Sequence, residues 1–140
     1  MNEAFKEAKK GLAEGGIPIG SVLVKDGKII GRGHNKRVQE KNPVMHAETD
    51  CLFNAGRIGS YKDTILYSTL MPCYFCAGAA VQFGIKKVIV GESKNFSGAR
   101  EFMEEHSIEV VDLDENEIKE MMADFINKNP ELWNEDIGIL

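Results

Sequence analysis

Two short motifs 24 residues apart, His46-Ala47-Glu48 and Pro72-Cys73-Tyr74-Phe75-Cys76, constrain this chain more than any other feature. One imidazole and two thiols are a good tetrahedral ligand set for zinc, and three protein ligands leave a fourth position open for water. For those side chains to meet, two distant segments must fold against each other at one point. A carboxylate two residues from the histidine can then handle the proton of that water. Cys73 and Cys76, three apart at the start of a helix, are neighbours on one face, and a helix N-terminus favours thiolate over thiol. Residues two apart on a regular helix turn through about 200°. His46 and Glu48 can therefore serve one site only if His46 lies where its helix begins, presented by the loop that holds Pro43. Alone, Cys-x-x-Cys also fits a redox module of thioredoxin type. The His-x-Glu upstream favours zinc.

Around these motifs the pattern is α/β. Phe5, Ala8 and Leu12 fall at helical spacing over 4–12, stopped by Gly15-Gly16. Asp26-Gly27 between apolar runs 19–24 and 28–32 is a strong hairpin signal. After a polar loop over 35–43, residues 46–54 read as a helix stopped by Gly56. Strand 65–68, helix 73–83, strand 87–90, helix 99–105 and strand 109–112 then alternate. Helical connections of this length imply parallel strands with right-handed crossovers. Asp114 and Glu117 suggest a capping box opening a last helix to about 128, which Asn129-Pro130 should stop. The expected fold is a three-layer α/β/α sandwich around a central mixed five-stranded sheet, in one domain spanning 1–140.

A chain of 140 residues with 43% apolar content suits one buried core. Its net charge of −5, with scattered basic residues, fits a small uncharged substrate better than a polynucleotide, whose phosphates call for clustered Lys and Arg. No apolar run reaches the roughly 20 residues that span a bilayer. The first residues lack the layout of a signal peptide, and three cysteines without such a signal suit a reducing compartment. A cytoplasmic protein that binds neither membrane nor nucleic acid is expected. Cys51 should simply pack in the core, and His34 should help hold the loop that presents Asn35.

With these residues placed, the chain resembles the yeast-type cytosine deaminases, within the cytidine-deaminase-like fold. His-x-Glu followed by Pro-Cys-x-x-Cys is the signature of zinc-dependent nucleobase deaminases. Glu14-Gly-Gly-Ile-Pro-Ile-Gly20, Gly31-Arg-Gly-His-Asn35 and Trp133-Asn-Glu-Asp-Ile-Gly138 extend the likeness nearly end to end. The resemblance implies a homodimer with one zinc per chain on His46, Cys73 and Cys76, and Glu48 as proton shuttle. Asn35 would contact the pyrimidine amide and Asp136 its N1–H, with the Ala47 N–H available to the base. Ile19, Leu70, Phe96 and Trp133 would line the pocket, and the Met71 carbonyl would face the departing amine. Ala47 stands where this branch usually has glycine and Met71 where it usually has serine; both bear on substrate range more than on reaction type. The implied reaction is hydrolytic deamination of a free nucleobase, cytosine to uracil and ammonia, in pyrimidine salvage. The alternatives are a sister deaminase acting on guanine, creatinine or another small cyclic amidine, or a non-enzymatic zinc or redox module.

Overall fold

The first helix, α1 (Asn2–Ala13), ends at the glycine pair, where Gly15 takes φ +87°. In the computed structural model, which describes residues 1–139, the hairpin follows. Asp26 and Gly27 both have positive φ, 51° and 75°, as a two-residue type I′ turn requires. They join β1 (Gly20–Lys25) to β2 (Lys28–His34) in antiparallel register, with a bulge at Leu23/Val24. Helix α2 (Ala47–Ala55) leads to β3 (Thr64–Leu70), and α3 (Tyr74–Phe83) connects β3 to β4 (Lys87–Glu92). Helix α4 (Arg100–Glu105), β5 (Glu109–Asp112), α5 (Asn116–Lys128) and α6 (Pro130–Asp136) complete the chain.

The sheet order is β2-β1-β3-β4-β5. β1 runs antiparallel to both neighbours, and β3, β4 and β5 are parallel. This is the mixed five-stranded sheet expected from the sequence. Strand alternation sends Leu23, Leu66, Val88, Val90 and Val110 to one face, where they pack with Cys51 of α2, Ala77 and Ala80 of α3 and Met103 of α4. On the other face Gly20 lies against Ala4 and Ala8 of α1, and Gly91 against Ile118 of α5. A second cluster joins Ile17, Ile19, Ala47 and Leu70 to Met122 and Phe125 of α5 and Trp133 of α6.

Gly31 and Gly33 admit α2 onto β2. A Cβ at Gly33 would overlap the Cys51 backbone nitrogen and stand 2.8 Å from the Ala47 carbonyl oxygen; one at Gly31 would stand 2.7 Å from the Cys51 oxygen. Only bare backbone lets the helix that carries His46 and Glu48 lie this close.

Two expectations are corrected. Asn129-Pro130 does not end the helical structure: Asn129 closes α5 and Pro130 opens α6, because proline at the first helical position gives up an N–H that would be unpaired anyway. The capping box at Asp114 and Glu117 is not formed. Asp114 sits at φ +50° with its N–H donated to Asp112 Oδ1, and α5 begins with Glu115 as its N-cap. Among the described residues no helix is long and apolar enough to cross a membrane.

Candidate active site

β3 separates two helix starts that meet at one point. His46 is the extended N-cap residue of α2 (φ −75°, ψ 164°), and Cys73 is the extended N-cap residue of α3 (φ −72°, ψ 175°). Thr49 ties the first of these down: its hydroxyl accepts the His46 N–H at 2.9 Å and donates to the Val44 carbonyl at 2.6 Å. The second is anchored by Met71 N–H on the Glu92 carbonyl and Ala99 N–H on the Pro72 carbonyl.

The ligand atoms of His46, Cys73 and Cys76 all lie within 4.8 Å of one another. His46 Nδ1 is 3.6 Å from Cys73 Sγ. Two ligands bound tetrahedrally to one zinc through nitrogen and sulfur stand about 3.5 Å apart, so the residues fit the metal. His46 Nε2 lies 3.1 Å from the Pro43 carbonyl. That oxygen only accepts, so Nε2–H donates to it, an outer contact typical of ligating histidines, and Nδ1 is the nitrogen turned toward Cys73 that would bind the metal on losing its own proton.

The electrostatics inside the cluster point the same way. A hydrogen bond from Cys76 pulls the Cys73 thiol down to about 4 against the effect of burial, with His46 adding to it. Cys76, which donates that bond and is buried, is pushed far up. Burial opposes charge on His46, yet the hydrogen bond to Cys73 and the charge of Glu48 raise it to about 9. Glu48 is buried and is pushed up to about 7, first by burial and then by the Cys73 thiolate. A Cys73 thiolate, a His46 imidazolium and a Glu48 carboxyl poised near neutrality thus share one small volume.

This cluster opens into a cavity of about 590 Å³, within the usual range for small-molecule sites. Of the metal, catalytic and substrate residues expected from the sequence, all but Ala47 and Cys76 line it; those two are buried. Asn35 sits at its edge on the loop after β2, its N–H donated to the Ile19 carbonyl and its Oδ1 accepting from Arg37 N–H at 3.0 Å. Just before it, His34 is wedged between Glu7 (3.1 Å) and Glu14 (2.7 Å) of the N-terminal segment, and its N–H is donated to Asp50. Phe96 and Trp133 meet edge to face at 5.9 Å. The Phe96 loop is set by fully buried Glu92, which accepts from both nitrogens of Asn95, while the Asn95 side chain also donates to the Lys119 carbonyl. Asp136 is pushed up by burial, opposed by His46 and Arg37. Its Oδ1 is buried without a hydrogen-bond partner among the described residues.

Tyr74 and Phe75 also line the cavity and were not singled out in the sequence. Phe75 stands edge-on to His46 at 5.5 Å. Their place inside Cys-x-x-Cys was the signal. Cys51 is fully buried among apolar neighbours and pushed up to about 12 by that burial, a packing thiol.

The chain matches the family described as the cytidine and deoxycytidylate deaminase zinc-binding region over residues 1–92. It belongs to that family. This deaminase is 45% identical over 141 residues to the cytosine deaminase of Candida albicans, a match covering 99% of this chain and 94% of that protein. A tRNA-specific adenosine deaminase of Streptococcus pyogenes is 47% identical over 103 residues, 71% of this chain and 65% of that protein. Among solved structures, one from studies of A-to-I editing by tRNA:A34 deaminases at the wobble position of transfer RNA superposes with a TM-score of 0.76. It is 29% identical, covering 86% of this chain and 96% of that one. The family's cofactor is zinc, and His46, Cys73 and Cys76 are positioned to bind it.

Proposed function

We propose that this deaminase acts on a free nucleobase, converting cytosine to uracil and ammonia. The observation that carries the reading is the buried carboxylate of Asp136: the residue lines the cavity together with Asn35, and its Oδ1 has no hydrogen-bond partner among the described residues. An unpaired buried acceptor is costly, and cytosine offers N1–H to satisfy it. In a nucleoside the sugar occupies N1, so the hydrogen is missing and the carboxylate clashes. Sites built to bond one group reject analogues lacking it by about 10⁴-fold or more.

Zinc on His46, Cys73 and Cys76 would supply Lewis acidity that lowers the pKa of water toward about 7. Glu48, buried beside the ligand residues, takes the proton of the attacking water and delivers it to ring N3, which eases attack at C4. Glu48 then takes the remaining proton from the hydroxyl formed at C4 and carries it to the amine, which leaves as ammonia as the C–N bond breaks and the C4 carbonyl forms, rather than as an inaccessible amide anion. Asn35 orients the amide edge, and the Met71 carbonyl faces the departing amine. Ile19 and Leu70 wall the ring while Phe96 and Trp133 cover it.

The near full-length likeness to the Candida albicans enzyme supports cytosine, and the net charge of −5 weighs against a phosphate-gripping surface. The Streptococcus pyogenes relatives favour a second reading, adenosine deamination in transfer RNA. A homodimer is supported by Phe53, Phe75 and Phe83, exposed together on α2 and α3 around an apolar groove. The free thiols suit the cytoplasm, where pyrimidine salvage takes place. One ammonia-release assay across cytosine, 5-fluorocytosine, cytidine, adenine, guanine and creatinine, with transfer RNA binding measured beside it, tests the reading. Cytosine is expected to lead. Equal efficiency on cytidine, or tight transfer RNA binding at physiological salt, sinks it.

A further inference from the structure

We infer that Arg37 is a positioning residue that locks α6, with its Asp136 carboxylate, onto the loop that holds Asn35 and His46. The inference rests on the reading of Asn35 and Asp136 as substrate contacts. Each polar arm of Arg37 reaches a different part of the site. Its backbone N–H donates to Asn35 Oδ1 at 3.0 Å, fixing the amide's orientation. Nη1 donates at 3.3 Å to the Pro43 carbonyl, the same oxygen that receives His46 Nε2–H. Nη2 donates at 3.4 Å to the Glu135 carbonyl on α6. Nε stands 3.9 Å from the carboxylates of both Glu135 and Asp136.

At seven residues, α6 is too short to hold itself together. Trp133 gives it an apolar anchor in the second core cluster, but a buried ring fixes depth better than rotation. Arg37 supplies the directional link. The distance to Asp136 matters as well. At 3.9 Å the guanidinium steadies the carboxylate by charge without hydrogen-bonding its buried Oδ1, which has no other partner among the described residues. A planar, rigid fork can point at three acceptors in one geometry; an ammonium cannot.

Trp133 is the sole tryptophan of the chain and lies on α6, so its fluorescence reports the docking of α6 without any substrate. The test compares zinc-loaded wild type, R37Q and R37K by acrylamide quenching of Trp133 and by steady-state kinetics on cytosine, with thermal unfolding as control. R37Q should raise the quenching constant about twofold or more, as a loosened terminal element exposes its anchor. It should raise KM about tenfold, the scale of one charge-assisted hydrogen bond, with kcat reduced much less. R37K should fall between. A general structural defect would instead lower the unfolding midpoint and the active fraction with KM unmoved, which overturns the inference. R37Q as protected as wild type overturns it too, as does R37K equal to wild type in both readings. Wild type inert on cytosine sinks the substrate reading alone, and the quenching still decides on Arg37.

Discussion

Replacing Gly33 by alanine asks whether the close approach of α2 to β2 is what sets the catalytic geometry. The added methyl would overlap the Cys51 nitrogen and stand 2.8 Å from both the Ala47 oxygen and the Asp50 carbonyl carbon, where ordinary contact begins near 3.4 Å. All three atoms are helix backbone, so none can rotate aside and α2 as a whole has to recede by on the order of 1 Å. Overpacking of this kind costs about 1–3 kcal/mol, and contacts made wholly to backbone belong at the upper end. With a urea slope of about 1–3 kcal/mol/M, the unfolding midpoint should fall by roughly 1 M or more. The same recession moves Glu48, in the first turn of α2, and His46, its N-cap, relative to Cys73 on α3. A displacement near 1 Å among reacting groups costs about 10²-fold in rate. Urea titration and ammonia release on zinc-loaded G33A measure the two effects together. A variant with an unchanged midpoint and turnover within about twofold of wild type would refute the claim that this glycine sets the site.

Glu48→Gln should keep its metal by elemental analysis and lose turnover, since an amide cannot shuttle protons. The same variant carries a stability signature. Glu48 is raised from 4.5 to about 7, so its contribution is intact below pH 4.5 and is lost as pH rises through 7; above that, E48Q should exceed metal-free wild type by about 3 kcal/mol in urea titrations, with no gap near pH 4. Cys73, held down at about 4, is thiolate throughout pH 6–8. In chelated protein its alkylation by iodoacetamide should therefore stay nearly flat over that range, where an ordinary thiol gains roughly two orders of magnitude, and zinc should block it. Gly78→Ala on α3 puts a methyl into open space and should raise stability by about 0.5–1 kcal/mol by thermal or urea unfolding.

What was legible in the sequence is what local chemistry decides. Asp26-Gly27 announces its hairpin because few other dipeptides tolerate two positive φ angles in a row. The zinc ligands announce themselves because three such side chains at two helix starts have few other uses. Helix α6 was hidden: Asn129-Pro130 stops a helix as readily as it starts one, and what stabilises the new one is Trp133 burying itself among Ile17, Ile19 and Leu70, residues over a hundred positions away or on a distant strand. The acidic run before α5 looked like a cap and is instead a turn, because Asp112 captured the Asp114 N–H first. The arms of Arg37 and the Glu92–Asn95 brace depend on partners that only the tertiary fold supplies. Ala47 and Cys76 belong to the constellation by position yet present no surface to the cavity, a matter of which way a helix is rotated.

The strand order has a consequence for self-association. A sheet that ends in a long, flat, unpaired strand invites another chain to add to it. Here the outer strands discourage that. β5 has four residues and carries Glu109 and Asp112, while β2 is bent beside the bulge in its pairing with β1 and bears Lys28 and Arg32. Copies of this chain are thereby steered away from sideways sheet growth, the route to fibrils. The dimer proposed above would instead use the exposed aromatic faces of α2 and α3, where Phe75 stands edge-on to His46.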